Sequence, residues 1–251
     1  MIELLKAVLF GIVEGVTEWL PISSTGHLIL LNEFINLNMS EQFRSMFDVV
    51  IQLGAILAVI VLFFHKLNPF APSKSPAEKK QTWSLWFKVV AAIIPSGVVG
   101  VLFDDWMDAH LHNGIVVSIA LIGYGIAFLL VERKNQGKHL KIVEDVHDIT
   151  YKTALMIGLF QCLSLVPGTS RRGSTMLGAS AIKGLKFILS GVSATGMEIA
   201  VLVVGCIVSF IVSLLVIRGL MEYVRKHSFA AFGVYRIILG AIVLGYFALI
   251  G

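Results

Sequence analysis

Long apolar runs alternate with short polar connections along most of the chain. A transmembrane helix needs about 20 mainly apolar residues to cross a hydrocarbon core about 30 Å thick. Four stretches meet this requirement: Met46–Phe64, Ser84–Phe103, Gly114–Val131 and Glu198–Ile217. A fifth stretch, Ala230–Ile250, is apolar except for Arg236. The pattern therefore predicts five membrane-spanning helices.

Two further apolar regions, 3–36 and 151–195, are interrupted by proline, glycine, serine and charged residues. Interrupted helices are tolerated at membrane depth only where protein or a polar cavity covers the freed backbone groups. We therefore expect broken, re-entrant helices in both regions.

Composition agrees with a membrane protein. Of the 251 residues, 57% are hydrophobic and 14% are charged, whereas a soluble domain has about 45–50% apolar and about 25% charged residues. These values argue against a soluble enzyme, a nucleic-acid-binding protein and a disordered regulator. Cys162 and Cys206 lie in apolar stretches, so neither a disulfide framework nor a CxxC metal site is expected. No cleaved signal peptide is expected at the start of the chain, which lacks a small-residue cleavage site.

The polar connections predict an orientation. The segments 65–83, 132–150 and 218–227 are rich in lysine and arginine, whereas 104–113 has three aspartates and neither basic residue. Lysine and arginine mark cytoplasmic loops, so we place the first three segments inside and 104–113 outside. The region 3–36 then starts from the outer side of the membrane, and 151–195 starts from the inside.

The two interrupted regions resemble each other. Gly11, Glu14, Pro21 and Ser24 have counterparts at similar spacing in Gly158, Gln161, Pro167 and Ser170. Regions that enter from opposite faces form an inverted-topology repeat, which brings discontinuous helices together near the middle of the membrane. We therefore predict one all-α, polytopic membrane domain over 1–251, with repeat halves at about 1–131 and 151–251 and a cytoplasmic loop at 132–150. A chance resemblance between Gly- and Pro-containing apolar stretches is the alternative.

Glu14 and Glu18 are the first candidates for chemistry. They are spaced i, i+4 and so share one helix face. Ionisable groups within a membrane are costly and are functional candidates by default. Two carboxylates held close together do not both ionise easily unless a cation or an arginine lies between them. The alternative is a surface helix with both glutamates in the headgroup zone.

The second candidate is the hydroxyl-rich turn that follows Pro21: Ser23, Ser24, Thr25, Gly26 and His27. Backbone N–H and hydroxyl groups in such a turn can bind an oxyanion. The turn also places a potential serine nucleophile near a potential histidine base. Hydroxyls that merely cap a helix are the alternative.

The third candidate lies in the second interrupted region, where hydroxyls and glycines flank Arg171. Arginine is suited to bidentate recognition of phosphate. We expect the phosphate-binding residues of this segment to be Gly168, Thr169, Ser170, Arg171, Ser174 and Thr175. A cytoplasmic-edge arginine pair is the alternative, but the flanking sequence is apolar.

Together these groups indicate a phosphoryl-transfer site. Its depth in the membrane implies that the phosphate is carried by a lipid. No P-loop, dinucleotide-binding turn or HExxH motif is present.

At these residues the sequence resembles the undecaprenyl-pyrophosphate phosphatase family, also known as bacitracin-resistance proteins. EGVTEWLPISSTGH (Glu14–His27) is similar to the first family signature, and PGTSRRGST (Pro167–Thr175) to the second, PG-x-SRSG-x-T. Phe47–Val59 and Phe229–Ala241 also read as family sequence. The resemblance implies hydrolysis of C55 isoprenyl pyrophosphate to the monophosphate on the outer face of a bacterial cell membrane, during recycling of the cell-wall carrier lipid. The family's functional residues carry over to Glu14, Glu18, Ser24, His27, Arg171 and Thr175.

The sequence departs from the family pattern in two places. Arg172 stands where the family usually has serine. Beyond Ser180 about 25–30 residues are missing, which is more than one span of about 20 residues. Between the cytoplasmic segments 132–150 and 218–227 only one clear span remains, although an even number of crossings must separate them. Either 151–180 crosses the membrane fully, or the chain lacks a helix and has a compromised fold.

Our interpretation is a polytopic membrane phosphatase. Ser24 is the expected nucleophile, and His27 is its base or an alternative phosphoryl acceptor. Glu14 and Glu18 would position Mg²⁺ or Ca²⁺, or the proton of the nucleophile, while Arg171 holds the scissile phosphate. The expected partners are a polyprenyl pyrophosphate and the bilayer, with a homodimer left open. A transporter or flippase of an anionic polyprenyl-phosphate lipid is the rival function, since inverted repeats are common in transporters.

Overall fold

The computed structural model describes residues 1–111, 114–135, 146–162, 195–226 and 228–250. The α-helices of these ranges are α1 (Ile2–Thr17), α2 (Ser24–Phe34), α3 (Glu41–Leu62), α4 (Phe64–Leu67), α5 (Pro76–Leu111), α6 (Gly114–Asn135), α7 (Tyr151–Cys162), α8 (Gly196–Lys226) and α9 (Ala230–Ile250). A 3₁₀ turn at Val146–Asp148 precedes α7. All regular structure in the described ranges is helical, which confirms the predicted fold class for these residues.

Five of these helices are long and apolar enough to cross a membrane. They are α3 and α6 over their full lengths, α5 over 76–100, α8 over 196–223 and α9 over 230–249. Each overlaps one predicted span, so the five predicted spans are confirmed as helices with the length and hydropathy that a membrane crossing requires.

The boundaries of two connections were predicted wrongly. α5 continues to Leu111, so most of the predicted connection 104–113 is helical. α8 continues to Lys226, through the basic segment predicted as the loop 218–227. Hydropathy marks where a helix leaves the hydrocarbon, whereas its backbone hydrogen bonds continue into water as long as the residues favour a helix.

The main core joins α1, α3 and α8. Phe10 of α1 and Phe47 of α3 are completely buried and meet edge to face, with ring centroids 5.8 Å apart. Val201 of α8 belongs to the same apolar cluster. A row of aromatic and β-branched side chains therefore fixes how these three helices pack.

Glycines allow α1 to approach α8 closely. A Cβ atom on Gly11 would lie 2.7 Å from the carbonyl oxygen of Gly205, and one on Gly15 would lie 2.8 Å from that of Ser209. Small residues at helix contacts are typical of membrane proteins, where association depends on close packing rather than on the hydrophobic effect. The residue pairs advance together along both chains, so α1 and α8 run parallel.

Two other helix pairs complete the arrangement. α6 and α9 run antiparallel, since Gly114 lies against Phe247 while Gly125 lies against Gly233. α7 packs against α5, where Gly158 contacts the carbonyl group of Ala92.

α1 and α2 form a helical hairpin. At its open end, the Lys6 ammonium donates to the carbonyl oxygen of Asn36 at 2.6 Å, and the Asn38 N–H donates to Glu3 at 3.0 Å. Its closed end, residues 18–23, is called the tip here. Close to the tip, the Ser213 hydroxyl of α8 donates to the carbonyl oxygen of Gly15 at 3.3 Å. The tip therefore reaches the middle of α8.

Candidate active site

The tip is a sharp break between two helices. Pro21 has no N–H group to continue a helix, and Ser23 has φ 71° and ψ 96°. Ser23 is the only non-glycine residue with positive φ in the described part of the chain. Such a conformation costs about 1–3 kcal/mol and is typical of functional sites. The Ser23 hydroxyl accepts a hydrogen bond from the Gly26 N–H at 3.4 Å, which caps α2 and makes Ser24 its first residue.

The break brings Ser24 against Glu18. The Ser24 hydroxyl donates to Glu18 Oε2 at 2.6 Å, and both residues are only 3% exposed. A hydroxyl bound to an ionised carboxylate makes a short, strong hydrogen bond. The pair therefore has the geometry of a nucleophile and its general base.

Glu14 lies one helical turn before this pair. Its side chain is completely buried, and the carboxyl group of Glu18 is its hydrogen-bonding neighbour, while no other N–H or O–H group of the described residues donates to it. Glu18 and Asp48 are close enough for their charges to interact with Glu14. Two buried carboxylates held this close are costly unless a proton or a cation lies between them, so the site suits a shared proton or a bound cation.

A divalent cation fits these residues only with help from other ligands. The described residues contain no group of three or more His, Cys, Asp or Glu side chains arranged to hold a metal ion. Mg²⁺ is commonly held by one or two carboxylates together with water and substrate phosphate oxygens. Glu14 and Glu18 can supply the protein ligands of such a site.

Both ring nitrogens of His27 have a hydrogen-bond partner. Nδ1 lies 2.7 Å from the carbonyl oxygen of Ser23, and Nε2 lies 2.8 Å from the Tyr235 hydroxyl. A carbonyl oxygen only accepts, so Nδ1 carries the hydrogen, and in a neutral ring Nε2 accepts from the tyrosine. The Ser24 hydroxyl donates to Glu18 and not to His27, and the role of His27 as base or alternative phosphoryl acceptor stays a prediction.

Arg236 reaches the tip from α9. Its side chain is 4% exposed, and its Nε–H donates to the carbonyl oxygen of Pro21. Arg236 was noted in the sequence only as an interruption of an apolar span. Sequence reasoning could have singled it out, because an arginine within a spanning helix is itself a functional signal. Tyr235 carried no such signal.

The structure thus brings together the predicted residues of the first signature. Thr25 and Gly26 lie in the first turn of α2, where a Cβ atom on Gly26 would lie 3.4 Å from Val117 of α6. The remaining predicted site residues lie outside the described ranges: Gly168, Thr169, Ser170, Arg171, Ser174 and Thr175. Arg172 and Ser180 lie outside them as well.

Comparison with known proteins gives the family. The family model described as "Bacitracin resistance protein BacA" matches residues 7–187 and 177–242. The chain belongs to the BacA family. It is 52% identical to an undecaprenyl-diphosphatase of Streptococcus thermophilus, over 98% of this chain and 94% of that protein. It is also 50% identical to the undecaprenyl-diphosphatase of Lactiplantibacillus plantarum, over the full length of both chains.

The same comparisons show a gap relative to other BacA proteins. The alignment with the Lactiplantibacillus plantarum protein is 275 residues long but contains the whole of this 251-residue chain, so about 24 of its positions have no counterpart here. The two segments matched to the BacA family overlap at 177–187. The overlap includes Ser180, after which the sequence predicts a gap, whereas the alignment length gives the size of the gap and not its position.

Proposed function

We propose that this BacA-family chain hydrolyses undecaprenyl pyrophosphate to undecaprenyl phosphate and inorganic phosphate, and thereby confers bacitracin resistance. The observation that carries the proposal is the buried hydrogen bond between the Ser24 hydroxyl and Glu18 Oε2. Relatives about 50% identical over the whole chain are named undecaprenyl-diphosphatases, which supplies the substrate class.

In the first step, Glu18 takes the proton of Ser24 as the serine oxygen attacks the terminal phosphorus. The new Oγ–P bond forms while the bond from phosphorus to the bridging oxygen breaks. The leaving group is a phosphate monoester with a second pKa of about 6, so it departs without strong acid assistance. The protonated Glu18 then loses its proton to the departing phosphate monoester. In the second step, Glu18 accepts a proton from water as the water oxygen attacks the phosphorus of the phosphoserine. The Oγ–P bond breaks, inorganic phosphate is released, and the serine oxygen takes the proton back from Glu18.

Electrostatic stabilisation contributes most of the catalysis of such a transfer. Glu14 and Glu18 would hold Mg²⁺ or Ca²⁺, which when bound neutralises negative charge on the pyrophosphate oxygens. Arg171, which lies outside the described residues, would bind the terminal phosphate through its guanidinium fork. The Ser23 backbone and the first turn of α2 position the nucleophile.

We propose an inverted repeat with a re-entrant hairpin as the architecture. The pairing of helices supports it: α1 of the first half packs on α8 of the second, and α7 of the second half packs on α5 of the first. The contacts use equivalent glycines, since Gly11 meets the carbonyl group of Gly205 and Gly158 meets that of Ala92. The antiparallel α6 and α9 would lie on the axis that relates the halves.

We further propose a bacterial cell membrane location with the site reached from the outer side. α8 ends in the basic segment 218–227, which favours a cytoplasmic end. α1 runs parallel to α8, so the open end of the hairpin faces outward and the tip lies at mid-membrane depth. A prenyl pyrophosphate in the outer leaflet would then reach Ser24 without crossing the membrane.

Phosphate release from a prenyl pyrophosphate tests the proposal. The protein is purified in detergent and supplied with Mg²⁺ or Ca²⁺, and Ser24→Ala is the matched control. Release by the natural chain that is lost in Ser24→Ala is the expected result. Binding and movement of the lipid across vesicles without phosphate release would instead establish the transporter, which the repeat architecture also suits.

A further inference from the structure

The last described helix holds the tip at two points. Arg236 donates to the carbonyl oxygen of Pro21, and Tyr235, its neighbour on α9, is hydrogen-bonded to His27. Pro21 lies three residues before Ser24, and His27 lies three residues after it. Two adjacent side chains of one helix therefore bracket the nucleophile.

We propose that Tyr235 and Arg236 are positioning residues, which fix the tip so that the Ser24 hydroxyl meets Glu18. The inference rests on the proposed function, because it takes Ser24 and Glu18 as the reacting pair. Neither α9 residue is placed on substrate.

Hydrogen bonds connect Tyr235 to the strained part of the tip. In the neutral ring, the Tyr235 hydroxyl donates to His27 Nε2, and His27 Nδ1–H donates to the carbonyl oxygen of Ser23. The two rings are also stacked, with centroids 5.7 Å apart and planes 1° from parallel. The hydrogen bond from Tyr235 orients the His27 ring, and the same ring donates to the carbonyl oxygen of Ser23. The Tyr235 hydroxyl on α9 therefore helps to hold the backbone of Ser23.

The positive φ of Ser23 explains why such support is needed. A non-glycine residue keeps this conformation only where its surroundings over-determine it. Ser23 lies between the two points of attachment, at Pro21 and His27, and its φ of 71° sets the direction in which the next residue, Ser24, leaves the tip. Loss of either attachment lets the tip relax away from the geometry that gives the 2.6 Å contact with Glu18.

The burial of Arg236 agrees with this role. A guanidinium at 4% exposure in a spanning helix is expensive unless it has specific partners. Its bond to Pro21 joins positions 215 residues apart. The guanidinium thereby links α9 to the backbone of the tip.

The kinetic test compares Tyr235→Phe, Arg236→Gln and Arg236→Lys with the natural chain. Tyr235→Phe keeps the stacked ring and removes one hydrogen bond, so we expect kcat to fall about tenfold, the equivalent of about 1.4 kcal/mol. Arg236→Gln removes a charged donor and should lower kcat about 100-fold. Arg236→Lys keeps a charge and a donor without the fixed fork, so its kcat should lie between those of Arg236→Gln and the natural chain. KM should stay within about twofold in each variant, because substrate contacts are retained.

Tyr246→Phe is the matched control, since it removes a hydroxyl from the same helix at a residue whose ring packs against Phe34 at a tilt of 55°. Its kcat should equal that of the natural chain. All rates are expressed per folded, monodisperse molecule. A residue with a merely structural role would change the amount of folded protein or its melting temperature, but not kcat per folded molecule.

A second readout does not depend on activity. The ring ¹⁵N signals of His27, identified by their loss in His27→Gln, report its tautomer and hydrogen bonds. They should shift in Tyr235→Phe and stay unchanged in Tyr246→Phe. If the natural chain releases no phosphate, the proposed function fails while this spectrum still tests the contact.

Natural kcat values in both Tyr235→Phe and Arg236→Gln would overturn the inference. So would an unchanged His27 spectrum in Tyr235→Phe, or rises in KM that account for the whole loss of activity. If Arg236→Gln does not fold, the result for Tyr235→Phe decides alone.

Discussion

Replacing Glu18 by glutamine removes its ability to accept a proton but keeps its size and its hydrogen bond with Ser24. Ser24 donates to Glu18 Oε2 at 2.6 Å, and the amide oxygen of glutamine can still accept that hydrogen bond. An amide cannot take the serine proton. A positioned general base contributes about 10²–10⁴ in rate, or about 2.7–5.4 kcal/mol at 1.36 kcal/mol for each factor of ten. We therefore expect kcat of Glu18→Gln to fall by about that factor.

The free energy of unfolding of Glu18→Gln should rise or change by no more than about 1 kcal/mol. Glu14 and Glu18 repel each other when both are charged, and Glu14 is completely buried. Removing one charge relieves that repulsion, and the retained hydrogen bond limits any loss to about 1 kcal/mol. Thermal unfolding in detergent measures this quantity.

Glu33→Gln is the control, because Glu33 is an exposed glutamate on α2 itself. The assay is the initial rate of phosphate release at saturating prenyl pyrophosphate, normalised to folded protein. A kcat of Glu18→Gln within about threefold of the natural value would refute the assignment of Glu18 as the base, since general-base contributions start at about 10². Full activity of Ser24→Ala would show that Ser24 is not the nucleophile.

Four further outcomes are expected. Gly15→Ala places a Cβ atom 2.8 Å from backbone on α8 and should lower the free energy of unfolding by about 1–3 kcal/mol. Gly219→Ala, with open space around it, should leave the melting temperature unchanged or raised. Equal melting temperatures of the two variants would contradict the close packing of α1 on α8. Glu14→Gln should weaken activation by Mg²⁺ or Ca²⁺ in a metal titration, and an unchanged titration would exclude Glu14 as a ligand. Arg171→Ala should abolish phosphate release and Arg171→Lys restore part of it, whereas full activity of the lysine variant would mean that only charge matters. Insertion of a relative's segment after Ser180 should raise the monodisperse yield and specific activity, and no gain would show that the segment is dispensable.

The fold could be predicted where one physical quantity decides the outcome. Hydropathy over about 20 residues determines whether a helix crosses a membrane, and all five predicted spans are helices. The break after α1 was also predictable, because Pro21 and the hydroxyls after it disfavour a continuous span. The helix ends at Leu111 and Lys226 were not predictable, because hydropathy does not determine where a helix ends outside the hydrocarbon.

The pairing within the site was only partly predictable. Candidate residues follow from the cost of charge in a membrane, which singles out Glu14 and Glu18. The partner of Ser24 depends on the direction of the chain through Ser23, whose positive φ no residue pattern specifies for a serine. The contact of Tyr235 with His27 depends on how α9 packs against the hairpin, and it joins residues 208 positions apart.

The distance along the chain between the tip and α9 has a consequence for biosynthesis. Ser24 belongs to the second helix to leave the ribosome, but the groups that hold its loop arrive more than 200 residues later. The hairpin can therefore enter the bilayer early, while its reactive geometry waits for insertion of α9. A ribosome that stalls before Tyr235, or a nascent chain that is cut there, leaves a product with the whole of the first signature and an unsupported tip.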